Sequence, residues 1–425
     1  MRTYRRRELV AVCVANAIEW YDFAVFGAMA SVLVAVLLPP ERRDAGLVVL
    51  FAVFAASFLA RPIGAMLVAR HADQLGRRHA LAAMILLMSG ATAAMGVLPP
   101  WSAVGVVSPV ALLALRLAQG FSSGGEISTS IPFLLESAPR HRWGYYSGWH
   151  TATMAVGLCG GIGVAWLLSV GLSTEALHTW GWRIAFLLAL PLGFVGLYVR
   201  ARLRESPSFG TADALRETPT VRQVWRHHGT TIRTGFVLVS VLSATFNLWF
   251  IFLPAHFAAQ GTHPLSGGLG CAAAGLLSAG LTAPLTGLAS DRVGRRPLLI
   301  AATSTLCVLT VPLYVVTLRR SWLGLLLADV TMGLVLGGLV VSAHLAERFP
   351  VDARATGIGL TYGLATAVVG GTAALVGSAL ARAGWSVGVP VYLTVLAGSG
   401  LVATLRAPSE LPVQSSTLVH AGEEP

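Results

Sequence analysis

Twelve apolar runs, each long enough to cross a bilayer, constrain this chain more than any other feature. They fall at about 10–38, 45–69, 80–98, 104–128, 146–171, 181–201, 232–258, 268–289, 297–318, 322–346, 356–381 and 385–405, separated by Pro, Gly or Arg clusters. A spanning helix needs about 20 predominantly apolar residues, because lipid offers no partner for backbone N–H and C=O groups. Only 12% of the residues are charged and 55% are hydrophobic, whereas a soluble domain carries about 25% charged residues on its surface. The fold class read from this is all-α integral membrane, with twelve transmembrane helices.

A repeat divides the twelve into two sixes. The polar turn Asp73-Gln74-Leu75-Gly76-Arg77-Arg78 follows the second run, and Asp291-Arg292-Val293-Gly294-Arg295-Arg296 follows the eighth. Matched turns half a chain apart indicate a duplicated bundle with the turns on the same side. The expected division is a six-helix bundle over 1–202, a basic cytoplasmic loop over 203–231, a second six-helix bundle over 232–405, and a short polar, disordered cytoplasmic tail over 406–425.

All 30 basic residues are arginine, and they orient the chain. With the N-terminus inside, the cytoplasmic segments hold 22 arginines and the outer segments 6. The positive-inside rule then puts both termini in the cytoplasm, and the expected location is a bacterial inner membrane. The same distribution excludes a nucleic-acid binder, since the arginines sit in short clusters between apolar runs. The first run is too long for a cleavable signal and is interrupted by Glu19 and Asp22. Cys13, Cys159, Cys271 and Cys307 lie in apolar segments without metal-ligand spacing. Nothing reads as a nucleotide loop, a metal cluster or a Ser-His-Asp set. No cofactor, metal or catalytic residue is expected, which argues against an enzyme.

Ionisable groups inside the spans are costly, by about 2.5–3.5 kcal/mol each on insertion scales, so each calls for a use or a partner. Glu19 and Asp22, three residues apart in the first span, share a helical face. A carboxylate poised to take up and release a proton is what proton coupling requires; the spacing does not choose between the two. Arg116, in the fourth span, suits a substrate carboxylate held by two parallel bonds, or an answer to the span-one charge. Gln119 and Ser122 share its face. Arg61 also lies within a span. Asp329 in the tenth span reads as a second proton site or an arginine's partner. Asn247 and Tyr21 are candidate substrate contacts, and His256 reads as a core residue. Near the cytoplasmic ends, Glu126, Glu136 and Arg142 suggest a gate, mirrored by His344, Glu347 and Arg354. Within each repeated turn, Asp73 or Asp291 can sit at a neighbouring helix N-terminus, where the dipole favours it, and Arg77, Arg78, Arg295 and Arg296 can meet acidic ends of adjacent spans. Contacts that form in one conformation and break in the other set which is favoured. Stripes of small residues, as in Gly157, Gly160, Gly161, Gly163, Gly370 and Gly371, allow close helix approach.

Gly/Ala-x-x-x-Asp-x-x-Gly-Arg-Arg, occurring after spans two and eight, resembles the signature loop of the major facilitator superfamily. Ile18-Glu19-Trp20-Tyr21-Asp22-Phe23, the stretch Arg116 to Glu126, and Leu203-Arg204-Glu205-Ser206-Pro207-Ser208-Phe209 are similar to the metabolite:proton symporters within it, as is Phe349-Pro350 followed by Arg354 and Gly357. The resemblance implies two six-helix bundles around a midplane site, alternating access by rocking, and proton-coupled symport of a small organic anion or zwitterion: a carboxylate or an osmolyte. The partners it implies are a small-molecule substrate, protons and lipid, with the monomer as working unit. There are departures. Ala69 stands where the pattern has Gly, Arg70 and His71 follow it, the second half matches less tightly, and no long C-terminal coiled coil follows as in osmosensing members. A proton-antiporting exporter of a biosynthetic product or drug is the alternative.

Overall fold

The computed structural model describes residues 2–75, 77–124, 131–132, 134–135, 138–201, 220–319 and 321–407; side chains are outside the description at 2–12, 15, 42–44, 65–75, 77–82, 199–201 and 352. The described residues form helices joined by short turns, with no strand among them. Twelve helical segments follow the apolar runs. They are α1 (Arg2–Ala28, continuing as Ala30–Leu37), α2 (Gly46–Leu75), α3 (Arg77–Gly96), α4 (Val107–Ser123), α5 (Trp143–Gly171) and α6 (Trp182–Leu187 and Ala189–Ala201) in the first half. The second half holds α7 (Val221–Phe246, Asn247–Phe252 and Leu253–Ala259), α8 (Leu265–Val293), α9 (Arg295–Thr317), α10 (Trp322–Gly337 and Val341–Arg348), α11 (Val351–Ala365, Thr366–Gly370 and Gly371–Arg382) and α12 (Gly388–Arg406). Nine of these are long and apolar enough over their described residues to cross a membrane, and α1 makes a tenth when its two parts, bent by 59°, are taken as one span. The described stretches of α3 and α4 are short: the apolar part of α3 is Ala83–Gly96, and α4 is 17 residues.

The main departure from the expected boundaries is α7. It begins at Val221 rather than 232, so the end of the expected loop is helical. The cause is a capping box: the Thr220 hydroxyl accepts from the Gln223 N–H while the Gln223 side chain returns to the Thr220 N–H, satisfying two donors that a helix start leaves open. The helix kinks at His228, whose φ of −120° and ψ of 21° are non-helical. A hydropathy pattern misses this turn because its residues are polar.

Several spans depart from regular α-helix. Part of α7, Asn247–Phe252, and part of α11, Thr366–Gly370, are π-helical turns, a feature frequent at functional sites. In α10 the helix stops at Gly337 and resumes at Val341. The Gly337 carbonyl freed there accepts from the Thr286 hydroxyl of α8 at 2.7 Å, as backbone at membrane depth must find a partner.

The halves meet along α5 and α8. Gly144 and Gly287 face each other so closely that a Cβ on either would overlap the other helix's backbone. Further outward, the Cys159 thiol of α5 contacts the Ala273 carbonyl of α8. The other seams are aromatic: Trp20 of α1 meets Phe246 of α7 edge-on at 5.9 Å, and Phe51 of α2 meets Phe252 at 6.0 Å.

The turn between α8 and α9 depends on Gly294, whose φ of +90° and ψ of 163° lie in a region open essentially to glycine alone. Gly294→Ala is expected to destabilise the protein by about 1–3 kcal/mol, read as a lowered melting temperature of the purified protein; an unchanged value would show that the turn relaxes at no cost.

Candidate functional site

Two acids and two arginines are buried together in the first half. Glu19 and Asp22 come from one face of α1, Arg61 from α2 and Arg116 from α4, at 3%, 0%, 4% and 0% exposure. The rotation of α1 that aims the acids inward is held by Asn16, which donates to the His150 carbonyl (3.2 Å) and the Thr153 hydroxyl (3.0 Å) of α5 while accepting from the Trp20 indole (3.0 Å). Arg61 lies 4.0 Å from Glu19. Asp22 faces Thr92 of α3 and Arg116, yet neither of its oxygens is in a well-formed hydrogen bond.

The guanidinium groups are held largely by rings. Arg116 lies 4.1 Å from the Phe26 centroid, 4.9 Å from Phe54 and 5.2 Å from Phe23. Arg61 lies 4.4 Å from Phe58 and 4.7 Å from Phe23. A desolvated cation over an aromatic face gains about 2 kcal/mol. Arg116 also donates to the Gln119 amide oxygen and to the Ser57 hydroxyl at 3.3 Å, and the Gln119 amide donates to the Thr92 hydroxyl at 2.8 Å. Rings and neutral oxygens hold the guanidinium in place without neutralising it. An arginine so held can exchange partners, from a protein carboxylate to a ligand's, without first breaking a close ion pair.

The second half contributes Asp329. It is buried and accepts from the Trp249 indole N–H at 2.7 Å; among the described residues no arginine pairs with it, and Arg320 lies outside them. Trp249 lies in the π-helical turn of α7. Asn247 opens the same turn, donates to the Ser243 carbonyl at 2.9 Å, and leaves its buried amide oxygen without a partner. His256 stacks on Phe252 at 5.0 Å, as a core residue does. Tyr21, expected among the substrate contacts, donates its hydroxyl to the Ala185 carbonyl of α6 at 2.8 Å. That bond ties α1 to α6 and engages the hydroxyl away from the charge cluster. Ser122 donates to the Met84 carbonyl.

A third group lies at the end of the α5–α8 seam where α5 begins and α8 ends. The Asp291 carboxylate accepts the backbone N–H groups of Gly144 (2.8 Å) and Tyr145 (2.9 Å), which are open donors at the N-terminus of α5. Arg295 pairs with Asp291 at 2.7 Å and with Glu347 of α10 at 2.7 Å. Arg296 donates to the Leu405 carbonyl in the last turn of α12 at 2.7 Å, a cation at a helix C-terminus. Arg354 donates to the Ala346 carbonyl at 3.0 Å and lies 4.9 Å from the Trp143 ring across the seam. His344 is buried beside Arg295 and Arg348. Arg142 is exposed at the N-cap of α5 with no side-chain partner among the described residues; the residues after it, Trp143 to Tyr145, make the contacts across the seam. Gly76, Glu126 and Glu136 lie outside the described residues, as do the side chains of Asp73, Arg77 and Arg78.

Three participants carried no role in the sequence reading: Arg61, Thr92 and Trp249. Arg61 had a visible signal, a charge in mid-span. Thr92 and Trp249 had none, because a threonine or a tryptophan in an apolar run is ordinary.

Comparison with known proteins gives a consistent picture. The family described as "Sugar (and other) transporter" matches residues 9–218. The chain is 30% identical over 408 residues to the alpha-ketoglutarate permease of Escherichia coli (strain K12), covering 92% of each. It is 30% identical over 407 residues to the citrate-proton symporter of Klebsiella pneumoniae, covering 93% of this chain and 90% of that one. It is 29% identical over 429 residues to the proline/betaine transporter of Escherichia coli (strain K12), covering 97% and 85%. Among solved structures it superposes on the proton:xylose symporter XylE bound to 6-bromo-6-deoxy-D-glucose with a TM-score of 0.74, 18% identity and 95% of each chain covered. At that identity the likeness speaks for the fold, two six-helix bundles.

Proposed function

The chain belongs to the metabolite:proton symporter family of the major facilitator superfamily, and from that premise we propose that it imports a small carboxylate-bearing metabolite, an organic anion or a zwitterion, together with protons. It is a multi-pass membrane transporter of bacterial type. The observation that carries the residue-level proposal is the buried set of Glu19, Asp22, Arg61 and Arg116, balanced in formal charge and gathered from three helices. Asp22 takes the proton, because it is the acid without a close partner while an arginine faces it. Arg116 takes the substrate carboxylate or, when the site is empty, answers Asp22. Gln119 holds the Arg116 guanidinium, and Glu19 with Arg61 keeps the remaining charge balanced. Asn247, with an amide oxygen to offer from the opposite half, completes the substrate contacts, and Asp329 is a second proton site held by Trp249. The relatives' names support the substrate class: citrate, alpha-ketoglutarate, proline and betaine all carry a carboxylate.

In the proposed cycle the halves 1–202 and 232–405 rock about the site, with both termini cytoplasmic and the monomer as the working unit. Asp291, Arg295 and Glu347 close the cytoplasmic end while proton and substrate load from outside; occupancy of both favours release of those contacts and opening inward. Asp73, Arg77 and Arg78 of the first turn, with Glu126 and Glu136, are assigned the same gating work on the other seam. No chemical conversion of the substrate is part of the cycle.

The test is uptake of labelled citrate, 2-oxoglutarate, shikimate, benzoate, proline and betaine into vesicles containing the purified protein under an inwardly directed proton gradient. Accumulation of at least one of them, abolished by a protonophore, is the expected result. Uptake indifferent to the protonophore and to sodium overturns the coupling, and loading of everted vesicles on an imposed gradient marks an exporter.

A further inference from the structure

We infer that the cytoplasmic extension of α7, residues 220–233, is a docking surface for the headgroups of anionic phospholipids. The helical stretch from Val221 to Ala259 is 39 residues long, roughly twice what a bilayer core requires, so its first turns stand at or beyond the membrane surface. Those turns are amphipathic. Val224 and Ile232 are buried against the rest of the second half, and His228 sets its ring edge-on to Phe349 at 5.9 Å. Arg222, Trp225, Arg226 and Arg233 are exposed, Trp225 at 48%. Arg222 and Arg226 are one turn apart on one face with Trp225 beside them.

Among the described residues the charge on this surface is uncompensated. The helix contains no Asp or Glu from Val221 to Ala259, and among the described residues no acid pairs with Arg222 or Arg226. Arg233 donates to the Gly229 carbonyl and the Thr230 hydroxyl, both at 3.3 Å, neither of them charged. A zwitterionic headgroup sets a cation beside its phosphate, so its surface has no net field to attract such a stripe. A phosphodiester with net negative charge supplies acceptors matched to guanidinium forks, and an indole at the same level settles among headgroups. The stripe is also rigidly presented. The capping box fixes its start, and the kink at His228 sets its angle to the span. Because the same helix carries the π-helical turn with Asn247 and Trp249, a headgroup bound at its cytoplasmic end constrains the element that contributes to the site.

The test uses the purified full-length protein in detergent, incubated with phosphatidylglycerol or phosphatidylcholine and weighed by native mass spectrometry. The wild type is expected to retain phosphatidylglycerol over phosphatidylcholine. Arg222→Gln combined with Arg226→Gln is expected to retain it about thirtyfold less, at roughly 1 kcal/mol of attraction for each of the two arginines near a charged surface. Arg319→Gln, an exposed arginine at the other end of the molecule, serves as control and should leave retention unchanged. The thermal unfolding of the double variant should match the wild type, since both side chains are exposed. Retention unaffected by the double change, or lost equally in Arg319→Gln, overturns the inference. Retention that rises when Glu423 and Glu424 are changed to Gln assigns the stripe to the chain's own acidic tail and overturns it as well. None of these readings depends on which solute is transported.

Discussion

Arg116→Gln is expected to reduce proton-driven uptake by at least about a hundredfold, and adding Asp22→Asn should restore the protein's yield without restoring accumulation. The first half of the expectation follows from burial. Removing one partner from a set of buried charges costs about 3–5 kcal/mol, because the remaining charge stays desolvated and uncompensated, and each 1.4 kcal/mol is about tenfold in an equilibrium. Arg116 is wholly buried among Phe23, Phe26 and Phe54, where water cannot replace it. The second half follows from charge counting. With Asp22 neutral as well, Glu19 and Arg61 still balance, so the fold no longer holds an orphan charge, but the proton has lost its carrier. Asp22→Asn alone mimics a carrier that never releases its proton. It should therefore support exchange of labelled for unlabelled solute across vesicles while failing to concentrate it. Arg116→Lys keeps the charge but not the planar fork, and should fall between wild type and Gln. Accumulation within about threefold of wild type in Arg116→Gln or Asp22→Asn would reduce the cluster to scaffolding.

The parts of this arrangement that were legible in the sequence are those with a forbidding alternative. Glu19, Asp22, Arg61, Arg116 and Asp329 stand out because charge in an apolar run is expensive, and a one-dimensional pattern suffices to see it. The contact of Asp291 with the N-terminus of α5 was legible for a related reason: an acid next to a tight glycine turn has few favourable places, and a helix N-terminus is one. What could not be read was pairing. That Arg61 lies by Glu19, that four phenylalanines hold the two guanidinium groups, and that Trp249 donates to Asp329 each depend on how helices rotate against one another. Rotation is set by glycine contacts and by neutral bonds such as Asn16 to His150, none of which leaves a mark on hydropathy. Tyr21 shows the same limit from the other side. It sits next to Asp22 in sequence, yet successive helical residues point about 100° apart, and its hydroxyl belongs to α6. The start of α7 was obscured because a capped polar turn at a membrane surface looks like loop to any count of apolar residues.

Breaking the contacts of Asp291 and Arg295 is the second large effect. Asp291→Asn removes the charge that accepts the Gly144 and Tyr145 N–H groups and that pairs with Arg295; Arg295→Gln removes the pairs to Asp291 and Glu347 together. Charge-assisted hydrogen bonds contribute about 1.5–3 kcal/mol each, and in the proposed cycle they act on only one of two conformations. With the proposed orientation, losing about 2–3 kcal/mol from this closed end shifts the balance toward inward opening by roughly 30- to 150-fold. Accessibility reads this directly. Ser147 and Thr151 of α5 line a narrow gap with Ser342 of α10 just inside the seam, so a cysteine placed at 151, after Cys13, Cys159, Cys271 and Cys307 are replaced, should be alkylated from the cytoplasmic side at least about tenfold faster in Arg295→Gln than in its parent. Net uptake should fall in the same variant, since a transporter resting inward returns outward rarely, whereas exchange should persist. This combination separates the gate from the charge cluster: Asp22→Asn also keeps exchange but leaves Thr151→Cys protected. If position 151 stays equally protected in Asp291→Asn and Arg295→Gln, then the packing of Gly144 on Gly287 and of Trp143 against Arg354 closes the seam without them, and the repeated turn only fixes topology.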